Sequence, residues 1–200
     1  MNDEAASPSP SALQRLQLVV LGSIAGQALR FLLSFAPSLL PRRLADSADV
    51  VLDMLGLALL AALAVELRAL RAHRLLRLAG QIASFELALE ILGWSLSSLG
   101  LAATWMPALA VVAQLLWVAG RSTLWLGLER GPMRSVVPAL ATARLLLFAA
   151  SLLSPYLESG GDARRIFLHS AAFRTLLAFA LLVAVDGAIA WRCGGERRKA

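Results

Sequence analysis

One cysteine, one lysine and two histidines are the whole supply of the side chains on which thiolate, Schiff-base and imidazole chemistry depend. With Cys193 alone, neither an intrachain disulfide nor a cysteine-based metal site can form, and the residue reads as a small buried or interfacial thiol. Lys199 is the only lysine and lies outside every apolar run, so no retinal-type lysine is available. His73 and His169 fall on opposite sides of the topology derived below, which argues against a haem held between two histidines. No Cys–His or His-Glu-x-x-His spacing points to zinc, and no glycine-rich fingerprint follows a strand. No cofactor is therefore expected. Without a nucleophile, a metal ligand set or a phosphate loop, no enzyme is expected either.

A basic stripe with interleaved aromatics is also missing, although the formal charge is +6 and the isoelectric point about 11.1. The basic residues are arginines apart from Lys199, and they stand at the ends of apolar runs or singly inside them, so nucleic acid is not an expected partner. A secretory signal would begin with positive charge, whereas the first residues, MNDEAASPSPSA, are polar, acidic and rich in serine and proline. They read as a disordered tail over 1–12, followed by a transmembrane domain over 13–192 and a basic tail over 193–200.

Apolar sequence is what the chain has in abundance. Hydrophobic residues make up 58%, mean hydropathy is +0.71, and several apolar runs approach 20 residues, more than one soluble core of this length would use. About 20 helical residues cross the hydrocarbon of a bilayer, and that rule places spans near 16–39, 50–67, 78–100, 107–128, 136–156 and 167–191. The runs are too continuous for the alternation of a membrane barrel, and their alanine and leucine content favours helix. Breakers separate the spans at Pro41, Pro107, Gly131-Pro132 and Gly160-Gly161. The expected fold class is all-α: a polytopic bundle of six transmembrane helices.

Orientation follows from the arginines, because positively charged loops stay on the cytoplasmic side. Arg15, Arg68, Arg71, Arg74, Arg77, Arg130, Arg134, Arg192, Arg197, Arg198 and Lys199 share one side of a six-span chain. Only Arg42, Arg43, Arg164 and Arg165 lie opposite, beside Asp46, Asp49, Glu158 and Asp162. Both termini are expected to be cytoplasmic. Trp105 and Tyr156 then fall near the outer interface and Trp125 and Trp191 near the inner one.

Arg68, Arg71, Arg74 and Arg77, three apart, raise the alternative of a voltage-sensing helix. Residues 50 to 100 would rise about 76 Å as continuous helix, enough for two crossings and a connector but not for three crossings. The four arginines therefore read as the connector, where they fix topology and contact anionic lipid at about 1 kcal/mol each near the surface.

Charges inside the spans carry more information. Arg30, Glu86, Glu90, Arg121, Arg144 and Asp186 all fall within the expected hydrocarbon, with Asp53, Glu66, His169 and Arg174 nearer its edges. An isolated charge there costs at least about 2.5–3.5 kcal/mol on insertion scales, so partners or water are required. Glu86 and Glu90 share one helix face. From the cytoplasmic edge Glu86 and Arg144 are each about 12 Å deep, and Glu90 and Arg30 about 18 and 21 Å. A network of Arg30, Glu86, Glu90 and Arg144, extended by Gln27, Gln114 and Arg121, is the expected site. It reads either as a lock on helix register or as a hydrated path for protons or a small ion.

Gly22 and Gly26 have the small-x-x-x-small spacing of close helix packing, and Gly93, Ser97 and Gly100 repeat it. Internal packing is the first reading, a seam with a second copy or another protein the alternative. RFLLSFAPSLLP (30–41) and RLLLFAASLLSP (144–155) match at six of twelve positions, so a parallel repeat of a helical hairpin at 16–67 and 136–191 is a further candidate, with convergent apolar composition as its alternative. Two functions follow: a small transporter or channel-like protein working through the buried charges, or an accessory or anchor subunit of a larger membrane complex.

Overall fold

The computed structural model describes residues 9–35, 42–70, 74–157 and 161–197. Among them are six α-helices, one short 3-10 turn and no strand: α1 (Pro10–Phe35), α2 (Arg42–Ala69), α3 (Arg74–Ser98), α4 (Ala102–Leu128), α5 (Val136–Leu157) and α6 (Gly161–Arg197). Five contain a stretch long and apolar enough to cross a bilayer: Pro10–Leu33, Ser47–Ala69, Trp105–Leu128, Pro132–Leu152 and Phe173–Gly195. The sixth, α3, carries Glu86 and Glu90 in its middle and is flanked along its length by α2 and α4. The chain is an integral membrane helical bundle.

Local chemistry sets several helix ends. Pro10 occupies the first position of α1, where its missing N–H costs nothing, and the Ser9 hydroxyl accepts the Ala12 N–H at 3.3 Å. Helix α3 ends on Gly100 at φ 73°, with the Leu101 N–H donating to the Leu96 carbonyl at 2.9 Å and the Gly100 N–H to Ser97 at 3.1 Å. That pair of bonds is the left-handed glycine cap, and it turns the chain directly into α4. Pro107 lies inside α4 rather than at its start, because this helix begins five residues earlier than the apolar run suggests. Likewise α2 begins at Arg42 and not near 50, and α6 continues to Arg197, through most of the expected tail at 193–200. The expected tail at 1–12 lies largely outside the described residues, and α1 already begins at Pro10.

Helix α1 packs on α2 and α6, α2 on α3, α3 on α4, and α4 on both α5 and α6. Helices α1, α2, α3, α4 and α6 therefore close a ring, and α5 sits outside it against α4 and α6. The α1–α6 seam is antiparallel: Gln17 lies against Gly194 at one end, and Phe31 stacks on Phe179 with ring centroids 4.3 Å apart toward the other. Gly22 and Gly26 of α1 face Leu59 and Leu55 of α2, and Gly93 faces Leu109 and Met106 of α4, so these small residues serve contacts between helices of the same chain.

Leu16, Leu67, Leu76, Leu124, Val137 and Ile189, one from each helix, are almost completely buried. Each lies within about 12 Å of rise from the same end of the bundle, the end that also carries Arg15, Arg68, Arg74, Arg77, Arg130, Arg134 and Arg192. The apolar core is thus a plug at the arginine-rich end. Outward-facing positions are apolar too, with Leu18, Leu32, Val51, Val65, Phe85 and Leu146 exposed, while Glu86, Arg121 and Asp186 are buried. That inversion of the soluble pattern is what a lipid surround stabilises.

Within the plug, α2 and α3 cross at Gly80. A Cβ there would meet the Arg68 nitrogen and Leu67 Cβ at 3.1 Å and the Leu67 carbonyl carbon at 3.2 Å. Two of those neighbours are backbone and cannot rotate aside, so Gly80→Val must separate the helices. The expected loss is about 1–3 kcal/mol, measured by denaturant unfolding in detergent, with Gly56→Val, where a Cβ meets nothing within 4 Å, as the near-neutral reference.

Candidate intramembrane site

Inside the five-helix ring is a partly open cavity of about 340 Å³. Helix α1 lines it with Ser23, Gln27 and Arg30, α2 with Asp53 and Leu60, α3 with Glu86, Glu90, Trp94 and Ser97, α4 with Met106, Trp117 and Arg121, and α6 with Leu182 and Asp186. No described residue of α5 reaches it. The lining runs from Glu86, Arg121 and Asp186, which border the apolar plug, to Trp94, Ser97 and Met106, close to the turn joining α3 and α4.

The charged groups form two layers. In the deeper one Arg121 Nε donates to Asp186 Oδ1 at 2.8 Å, with both side chains more than nine-tenths buried. Glu86, at 7% exposure, belongs to the same layer, and its Oε2 is buried without a hydrogen-bond partner. Toward the α3–α4 turn, Arg30 pairs with Asp53, both half-exposed to the cavity, and Glu90 lines the same level. Six ionisable groups thus face one space, four carboxylates and two guanidiniums, and both guanidiniums are engaged by aspartates. Glu86 and Glu90, one turn apart on α3, take part in none of the ion pairs among the described residues.

The sequence-derived network is partly reassembled and partly redistributed. Arg30, Glu86, Glu90, Gln27, Arg121 and Asp186 come together in the cavity, whereas Arg144 and Gln114 do not line it. Depth alone matches Arg30 with Glu90 and Arg144 with Glu86, but Arg30 pairs with Asp53, and Arg144 of α5 donates from Nη1 to Gln114 Oε1 at 2.7 Å. The Arg144 guanidinium also lies 4.2 Å from the centroid of Trp117, with Arg121 at 5.8 Å from the same ring. Trp117 therefore lies beside both arginines, and cation–π attraction adds about 0.5–2 kcal/mol for such a contact. Arg30 and Arg144 begin the two segments of the candidate hairpin repeat, yet their partners differ in kind, an aspartate in one case and an amide with an indole in the other.

No protein-family model, curated protein or solved structure matches the chain. Its chemistry has to be read from the side chains themselves.

Two features of the arginine-rich end were not legible as a site. Arg15 pairs with Glu66 at 2.9 Å, tying α1 to α2. Glu129, buried just after α4, accepts the Gly131 N–H at 2.6 Å and pairs with Arg192 of α6 at 2.9 Å. Trp125, near the same end of α4, is buried and donates from its indole N–H to the Met133 carbonyl at 3.1 Å. An acidic residue inside a basic loop, LERGPMR, is the signal that could have marked Glu129. Of the connector arginines, Arg68 lies in the last turn of α2 and Arg74 and Arg77 in the first turn of α3, all with exposed side chains, and Leu70 is already outside the helix. Arg71 and His73 lie outside the described residues.

Proposed function

We propose that the chain is a small transporter of the cytoplasmic membrane, with both termini cytoplasmic, that moves protons or a small ion by way of Glu86 and Glu90. The observation supporting this reading is the cavity: a space of about 340 Å³ at membrane depth, bordered by six ionisable side chains, one of them a buried carboxylate oxygen with no partner. Intramembrane ionisable groups facing a cavity are characteristic of ion and proton pathways. A purely structural accessory or anchor role would be better served by a filled interior, in which each charge meets its counter-charge.

The mechanism follows from the asymmetry of the bundle. The cavity extends toward the α3–α4 turn, while the plug of Leu16, Leu67, Leu76, Leu124 and Ile189 closes the arginine-rich end. With that end cytoplasmic, the cavity faces outward. A proton or cation arriving from outside meets Glu90 first and Glu86 next, and passage inward requires the plug helices to separate, as in alternating access. The Arg121–Asp186 pair ties α4 to α6 beside the carboxylates. Arg68, Arg71, Arg74 and Arg77 hold anionic lipid at the cytoplasmic surface. No catalytic step is assigned.

Purified protein in liposomes, given a pH or ion gradient, should carry a flux that Glu86→Gln abolishes while the folded yield stays near that of the unmodified chain. Equal flux in the two proteins, or none in either, rejects the reading.

A further inference from the structure

We infer that the small ion is an organic monocation, an amine or quaternary ammonium, held with its charge between Glu86 and Glu90 and its apolar body against the leucine and tryptophan walls of the cavity. This rests on the transport reading only in using the same site. Charge favours a cation: four carboxylates and two guanidiniums line the space, Asp53 and Asp186 are bonded to those two, and Glu86 and Glu90, though near Arg121 and Arg30, form no ion pair among the described residues. An anion would find no unengaged arginine in the lining. The buried, unpartnered Glu86 Oε2 is the second observation, since leaving such an acceptor unsatisfied is costly and a bound cation would satisfy it.

Size and wall chemistry narrow the class. A proton needs no room and a bare metal ion little, whereas this space is wide and about half of its lining residues are apolar, Leu52, Leu57, Leu60, Trp94 and Met106 among them. A volume of 340 Å³ falls within the range of about 300–1,000 Å³ typical of small-molecule sites, which pair apolar walls with a few placed polar groups. Trp94 borders the space and adds aromatic surface beside Glu90, whereas the Trp117 ring is already engaged by Arg144 and Arg121. Glu86 lies at the closed end and Glu90 one turn nearer the mouth, so a cation of ammonium size spans the interval of about 6 Å between them.

Calorimetric titration of the full chain in detergent tests this with benzyltrimethylammonium as the probe and benzenesulfonate, similar in size and opposite in charge, as the comparison. The expected result is saturable one-to-one binding of the ammonium, no binding of the sulfonate, and no displacement by a large excess of sodium or potassium at constant ionic strength. Glu86→Gln should weaken the ammonium by about tenfold or more, as for loss of a desolvated counter-charge, and Glu66→Gln, outside the cavity, should leave it unchanged. Should Glu86→Gln fail to fold, Glu90→Gln, at the more accessible position, is expected to show the same loss. No saturable ammonium binding, equal binding of the sulfonate, or undiminished affinity in the folded glutamine variants overturns the inference. Flux separates the two readings: ammonium binding without uptake into liposomes leaves the site standing and removes transport, whereas proton flux without ammonium binding overturns the site and keeps transport.

Discussion

Replacing Arg121 by Gln should cost about 3–5 kcal/mol of stability, because it strands buried carboxylates. Arg121 and Asp186 are bonded at 2.8 Å with side-chain exposures of 8% and 1%, and Glu86 lies in the same layer with an unpartnered oxygen. Without the guanidinium, two carboxylates face each other across low dielectric. Asp186→Asn should cost less, toward the lower end of that range, because the cation left behind still has Glu86 as a counter-charge. The asymmetry is the specific expectation, since an isolated pair would leave the guanidinium, which cannot shed its charge, as the costlier group to strand. In the double variant Arg121→Gln with Asp186→Asn neither partner is stranded, and the coupling should reach about 0.5–3 kcal/mol, as for residues in contact. Unfolding of the three variants in detergent measures all of this. Equal single costs with strict additivity would mean that the layer does not act as a unit.

Much of the bundle was legible because membrane insertion writes itself into composition. Six apolar runs gave six helices, and the ring seams at Gly22, Gly26 and Gly93 sit where small residues were spaced for close approach. Which ionisable residues matter was also largely readable, since a charge in an apolar run is conspicuous whatever its partner. The pairing was not. Counting 1.5 Å per residue fixes depth along a helix axis but carries no information on which way each helix faces or which helices are neighbours. Asp53 shows the consequence. With α2 taken to start near 50 it falls at the membrane edge, but the helix begins at Arg42, and Asp53 lies well inside as the partner of Arg30. Arg144 shows the other half of the problem: α5 is as apolar as its neighbours, and nothing in its composition says that it packs outside the ring, where Arg144 meets Gln114 and Trp117 instead of a glutamate.

The second large effect concerns sidedness, and it is all-or-none. In a Cys193→Ala background, single cysteines at Leu99 and Ser135 place a thiol at opposite ends of the bundle, both at exposed positions and both outside the α-helical segments. Cys193 itself is fully buried in α6, so its removal clears any background label at the cost of one small side chain. The proposed orientation rests on the arginine bias, by which the end bearing Arg68, Arg74, Arg77, Arg130 and Arg134 is expected to stay in the cytoplasm. An impermeant maleimide added to intact cells should therefore label Leu99→Cys and spare Ser135→Cys, with Ser135→Cys becoming reactive once the membrane is opened. The reverse pattern would invert the chain, and with it the mechanism, because the cavity lining approaches the α3–α4 turn that contains Leu99. A cation site reached from the cytoplasm would then load cargo for export, whereas the proposed orientation has it load from outside.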